Sequence, residues 1–208
     1  MTEGERRQLV DVLEQAREWG FVGPGDLDAH VEHSLAFLPL CGPAQAGTDL
    51  AVDLGSGGGL PGLVLALVQV DRPWLLLDAN RRRTDFLITA VRQLGIGDRT
   101  KVICQRAEVA GRGPLRNSAT LVVARGFAAP GPTAECAAPL LGVDGMLVVA
   151  EPPGGAPTRW PATQLADLGL DFDSMTTEPV ALRRFRQVRP CPDRYPRRVG
   201  IPGKRPLF

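Results

Sequence analysis

At 208 residues the chain is long enough for one α/β domain with a full core and a small appendage, and its 44% hydrophobic and 23% charged residues are ordinary for a folded globular protein. No apolar run reaches the roughly 18–20 residues of a membrane span, and the opening MTEGERRQLV mixes both charge signs, so neither a span nor a secretory signal is expected and the location expected is cytoplasmic. The formal net charge is only +1, yet from Arg183 onward nine Lys/Arg face one acid, Asp193, leaving 15 basic and 22 acidic residues before them. Such asymmetry points to a polyanionic partner.

Leu9, Val12, Leu13 and Ala16 recur at helical spacing, which predicts an amphipathic helix over 5–19. A second helix is expected from Asp26 through HVEHSLAFLPL. DLAVDLG then reads as a buried strand, followed by a helix that starts near Leu60–Pro61, where proline suits a first turn. WLLLD (74–78) is the second strand and TDFLITAVRQLG the second core helix, closed by Gly95. Strands follow in TKVICQRAE, TLVVARGF and GMLVVAE, with a helix in TAECAAPLL. Continuous apolar strands alternating with helices predict a parallel sheet covered on both faces. DFDSMTTEPV and RRFRQVRP read as a closing pair, one antiparallel, and YPRRVGIPGKRPLF is too rich in Pro and Gly to form either element. Cys41, Cys104, Cys136 and Cys191 are far apart and read as reduced, mostly packed thiols.

The chemistry concentrates in VDLGSGGGLPG, where Gly57–Gly62 spells G-x-G-x-x-G. In a nicotinamide enzyme such a turn cradles an anionic pyrophosphate, which a carboxylate at Asp53 would repel. S-Adenosylmethionine (SAM) carries a sulfonium and an ammonium, so an acid beside the turn is welcome. The turn residues Asp53, Gly55, Ser56 and Gly57 are therefore the expected cofactor cradle. Asp78, ending the next strand, is placed to accept hydrogen bonds from ribose hydroxyls.

DLGSGGGLPG, LLLDANRRRTDFL, QRAE and ARGFAAP, in that order, together with RYPRRVGIPGKRPL, resemble the RsmG (GidB) family of bacterial 16S ribosomal RNA guanine-N7 methyltransferases. The resemblance implies a Rossmann-like class I SAM-dependent fold, with a mostly parallel seven-stranded sheet, helices on both faces and a short N-terminal helical extension. The division expected is an extension at 1–45, a SAM-binding core at 46–191 and a basic tail at 192–208. It further implies that Gly55 and Leu60 contact the methionine and sulfonium end, that Ala107–Glu108 lies along the adenine, that Asp78 sits near the ribose, and that Arg125 reaches the active-site mouth. The implied partner is 16S rRNA or the small ribosomal subunit, with a monomer as the simplest state. A small-molecule methyltransferase and a non-catalytic SAM or nucleotide binder of the same fold are the alternatives.

The chain departs from the family in three places. Trp19 is followed by GFVGPG where the family carries Asn-Leu-Thr; His33 stands where it carries aspartate; and Glu151, in EPPGG, stands near the end of the fifth strand where it carries Lys-Gly. An acid on that rim is expected to weaken phosphate binding. EPPGG itself reads as a turn, and His30-x-x-His33 lacks a third ligand, so no metal is expected. Phosphate contacts are expected from Arg81, Arg82, Arg83, Arg197, Arg198 and Lys204, and base stacking from Phe127 or Tyr195. On that reading, deleting the residues after Pro192 abolishes RNA methylation and spares SAM binding. No catalytic base is expected, because N7 of guanine already offers an in-plane lone pair and carries no proton.

Overall fold

The computed structural model describes residues 1–44, 49–152, 154 and 157–208. The boundary expected at 45/46, and Pro153 and Gly155 of EPPGG, lie outside the described residues. Strands β1 (Ala51–Leu54), β2 (Trp74–Asp78), β3 (Thr100–Cys104), β4 (Ala119–Ala124), β5 (Leu141–Ala150), β6 (Leu170–Thr176) and β7 (Leu182–Gln187) make one sheet in the order β3-β2-β1-β4-β5-β7-β6. The first five run parallel, and β7 is antiparallel to both its neighbours. Chain direction across the sheet reverses between β1 and β4, and the crevice at the carboxyl ends of those strands is where open α/β sheets hold ligands.

Every residue of β1 and β2 is buried, which is why these strands are apolar apart from Asp53 and the closing Asp78. Alternation sorts them onto two cores. Ala51, Leu76, Leu121 and Val123 face a layer of α1 (Glu3–Glu18), α2 (Leu27–Leu35), α4 (Gly62–Val68) and α5 (Arg81–Gln93). Val52, Leu54, Leu75, Leu77 and Val122 face α7 (Pro130–Ala137), α8 (Ala162–Leu168) and the C-terminal segment.

α1 starts on a capping box between Thr2 and Glu5 and buries the predicted stripe of Leu9, Val12, Leu13 and Ala16. The helix expected to run through LPL is interrupted after Leu35. A separate short turn, α3 (Leu38–Cys41), follows with Pro39 in its first turn, because Pro39 has no N–H for the Leu35 carbonyl and its ring would clash with it. α5 begins three residues earlier than expected, since the Asn80 side chain accepts from the amides of Arg82 and Arg83. After β3 a single helical turn, α6 (Ala107–Ala110), leads toward β4. α7 likewise begins ahead of TAECAAPLL, with Pro130 at its first position. α8 matches no expected element; ATQLADL is short and closes on left-handed Gly169.

The C-terminal segment is not the element-free tail its composition suggests. Residues Ile201–Lys204 form a helical turn, α9, and Leu207 and Phe208 pack on the second core. Ring centroids of Phe208 and Trp160 lie 6.4 Å apart.

Candidate active site and cofactor cavity

The glycine turn leaves β1 and enters α4 over the crevice. Gly55 has φ +74°, and a Cβ there would lie 2.5 Å from the Phe127 ring, so both backbone shape and space require glycine. Gly62 is needed for close approach: a Cβ would meet Asp53 Oδ2 and the Leu76 side chain, which press the helix start onto the sheet. Asp53 Oδ2 accepts from the Gly62 amide at 3.1 Å, tying strand to helix from beneath. The carboxylate is 1% exposed, and its Oδ1 has no partner. Burial pushes the Asp53 pKa up to about 7, with Asp78 adding to the rise and the Gly62 amide opposing it.

Asp78 braces the turn from the other side. Its Oδ2 accepts from the Gly57 amide at 2.9 Å and its Oδ1 from the Asn80 amide at 2.8 Å. Each oxygen keeps a further lone pair for a ligand hydroxyl. Ser56 is buried and donates to the Asp53 carbonyl at 2.9 Å.

Two cavities meet at this turn. The larger, about 470 Å³, is lined by Gly55, Asp78, Ala107, Glu108, Phe127 and Lys204 among others. The smaller, about 200 Å³, is lined by Phe21, His30, Ser56, Gly57, Leu60 and Arg125 among others. Gly55, Arg83 and Gly126 line both, so the two are compartments of one crevice. Asp53 lines neither; it was expected beside the ligand and instead lies below the backbone the ligand would touch.

Arg125, just past β4, holds its guanidinium 2.8 Å from His30 Nδ1. An arginine N–H can only donate, so Nδ1 accepts and the imidazole proton sits on Nε2. That Nε2 is buried and has no protein partner. Burial lowers the Arg125 pKa, and the Asp53 carboxylate works against the shift.

The expected phosphate contacts divide. Arg83 lines both compartments 3.8 Å from Asp78, Arg82 lies over the Trp19 ring, and Arg81 pairs with Asp85 at 3.0 Å on the surface. Arg198 is exposed, and Lys204 lines the larger compartment. Arg197 is a correction: its fork is bidentate to fully buried Glu135, with contacts at 2.8 and 2.6 Å, so it is not offered to phosphate. Tyr195 is a second correction. It is 8% exposed in the second core, with Arg194 over its ring, and has no open face for a base.

The tail is a wall of the site. The Gly200 amide donates to Glu108 Oε1 at 2.8 Å, while Arg112 and Arg116 hold the carbonyls of Pro196, Tyr195 and Cys191. Gly200, Pro202, Gly203 and Lys204 thereby close the larger compartment. A deletion after Pro192 would remove this wall of the larger compartment. Glu135 was missed in the sequence, although a lone acid in TAECAA signals a buried carboxylate that must find a cation.

Glu151 is also not the rim acid expected. Its side chain is 5% exposed, paired with Arg159 at 2.6 Å and accepting from Trp160 Nε1 at 2.9 Å. With His33 and Arg183 it lines a separate cavity of about 480 Å³. Burial and the nearby Arg125 charge push the His33 pKa down to about 4, so that imidazole is neutral near pH 7.

Among solved structures, geranyl diphosphate methyltransferase in complex with SAM superposes with a TM-score of 0.60 at 14% identity, over 76% of this chain and 85% of that one, a likeness of fold. Curated relatives described as ribosomal RNA small subunit methyltransferase G include one from Syntrophomonas wolfei, 34% identical over 88% of this chain and 87% of its own length. Another, from Synechococcus sp. WH7803, is 30% identical over 98% of this chain and 87% of its own. The model of the GidB family, rRNA small subunit methyltransferase G, matches residues 25–151, which span the glycine turn, Asp78, Ala107–Glu108 and Arg125, and the chain belongs to that family.

Proposed function

We propose that the protein transfers a methyl group from SAM to N7 of a guanine in 16S rRNA, acting in the cytoplasm on naked rRNA or on the small ribosomal subunit. The rRNA methyltransferase activity and the SAM cofactor follow from the family and the fold. The observation that carries the placement is the two-compartment crevice joined at Gly55 over the carboxyl ends of β1 and β4. The residues suit a cationic ligand with a polar sugar. A buried carboxylate with one unpartnered oxygen lies under the turn, and lone pairs of Asp78 face the larger compartment.

On this reading the adenosine lies in the larger compartment, between Ala107–Glu108 and the C-terminal wall, with its ribose against Asp78. The methionine end lies along Gly55, Ser56, Gly57 and Leu60 at the smaller compartment, where Arg125 and His30 meet the acceptor. SAM supplies the methyl group on an electrophilic sulfonium. The chain's task is alignment: the glycine turn fixes one reactant, and the walls of the smaller compartment orient the purine lone pair for in-line displacement. Positioning of this kind supplies several kcal/mol of the barrier. No proton leaves N7, so no general base is required. Arg125 holds its place through its contact with His30 and has no proton to transfer in this step.

The test is incubation with methyl-labelled SAM and either small subunits or naked rRNA, followed by mapping of the label. Label at guanine N7 in 16S rRNA supports the proposal; label on another position or none on RNA overturns it.

A further inference from the structure

We infer that Trp19 is a stacking platform for a single-stranded nucleotide of the RNA flanking the methylated base, an inference that rests on the rRNA reading above. Trp19 ends α1 and is 55% exposed, whereas Trp74 and Trp160 are buried at 1% and 7%. An indole left in water at a helix end does no packing work that explains its size.

Its neighbours are what identify the ligand. Arg82 stands 5.7 Å from the Trp19 ring centroid, and Arg83 stands 6.0 Å from that of Phe21. The Trp19 and Phe21 rings are 5.9 Å apart, and Phe21 lines the smaller compartment beside His30 and Arg125. An aromatic path thus leads from the surface to the place where the acceptor base is expected.

The arginines are themselves anomalous. Arg81, Arg82 and Arg83 fill the first turn of α5, which contains no acid. Cations there oppose the positive end of the helix dipole and are locally unfavourable. Arg81 is offset by Asp85 and Arg83 in part by Asp78, which leaves the Arg82 charge beside Trp19, and that charge fits a polyanion better than it fits an apolar protein surface. Aromatic faces interleaved with guanidinium groups are how single strands are held with little sequence preference. The base next to the target stacks on the exposed indole, and its phosphate meets Arg82.

The test uses the full chain saturated with S-adenosylhomocysteine. A short single-stranded oligoribonucleotide should quench the fluorescence of the solvent-exposed indole, more weakly as salt rises, while a blunt RNA duplex quenches far less. Trp19→Ala should remove the quenching and raise KM for rRNA about ten-fold or more, with kcat at saturating rRNA and S-adenosylhomocysteine affinity unchanged. Trp19→Phe should restore most of the affinity. Wild-type KM in Trp19→Ala overturns the inference. So does a defect on assembled subunits that disappears on naked rRNA, which would make the partner a ribosomal protein. If the wild-type protein places no label on RNA, the functional reading fails, and the quenching titration still decides whether Trp19 holds single strands.

Discussion

Asp53 shows how one carboxylate serves fold and ligand in opposite ways. Its burial raises its pKa from the ordinary aspartate range to about 7, so the folded protein holds a proton that the unfolded chain releases near pH 4. Stability from this group is full below the unfolded value and is lost as pH climbs from about 4 through about 7. Asp53→Asn should therefore be no more stable than wild type at pH 4, and more stable at pH 8 by up to a few kcal/mol. Thermal melts across that range check it. A cation in the crevice reverses the balance. The same variant should bind SAM more weakly at pH 8, and wild-type affinity for SAM should rise between pH 6 and 8, which calorimetry reads directly. The acid before the glycines stood out in the sequence because it would repel a pyrophosphate. Its position did not: the Gly62 amide draws it beneath the turn, and that bond depends on the close approach that only glycine at 62 allows.

At the scale of elements, the strands were readable because β1, β2 and most of β4 are buried and so are apolar apart from Asp53, Asp78 and Thr120. Helix starts were less readable where a cap or a proline, rather than periodicity, sets them. Asn80 is the clearest case. Its side chain brings Arg81–Arg83 into α5, which turns a charged loop into a helical turn that aims Arg83 at both compartments and Arg82 at Trp19. Asn80→Ala should cost about 1 kcal/mol of stability, seen as a lower Tm. It should also raise KM for rRNA more than it lowers affinity for S-adenosylhomocysteine, because the freed turn carries the cations and Asp78 keeps its bond to Gly57. A proportionate loss of both affinities would mean that the cap serves only the fold.

Across the whole molecule the largest difference from the sequence reading is the C-terminal segment. Its basic residues looked like a free arm because the tail's partners are remote along the chain: Glu135 for the Arg197 guanidinium and Glu108 for the Gly200 amide. Composition records charge but not pairing, and a polar contact spanning so many residues leaves no periodic mark. Other arginines of the cluster are spent likewise, Arg184 on Asp173 and Arg183 on Glu151, which also holds Arg159. The charge asymmetry is real in the sequence and is spent only in part: Arg183, Arg184 and Arg197 are paired, whereas Arg186, Arg189, Arg194, Arg198, Lys204 and Arg205 are exposed. Truncation after Pro192 should therefore lower affinity for S-adenosylhomocysteine at least ten-fold, as well as abolishing methylation. Glu135→Gln should do so more mildly, because it leaves Arg197 half-exposed without its anion. Unchanged ligand affinity in both variants would remove the tail from the cofactor site.

The clasp between Arg197 and Glu135 joins positions 62 residues apart, and the one between Gly200 and Glu108 joins positions 92 apart. Both clasps back the C-terminal wall of the larger compartment, so any molecule that fills this compartment binds the clasped chain better than the open one. Occupancy then bolts the C-terminus in place, and a filled compartment should protect the residues after Pro192 from proteases that trim the empty protein.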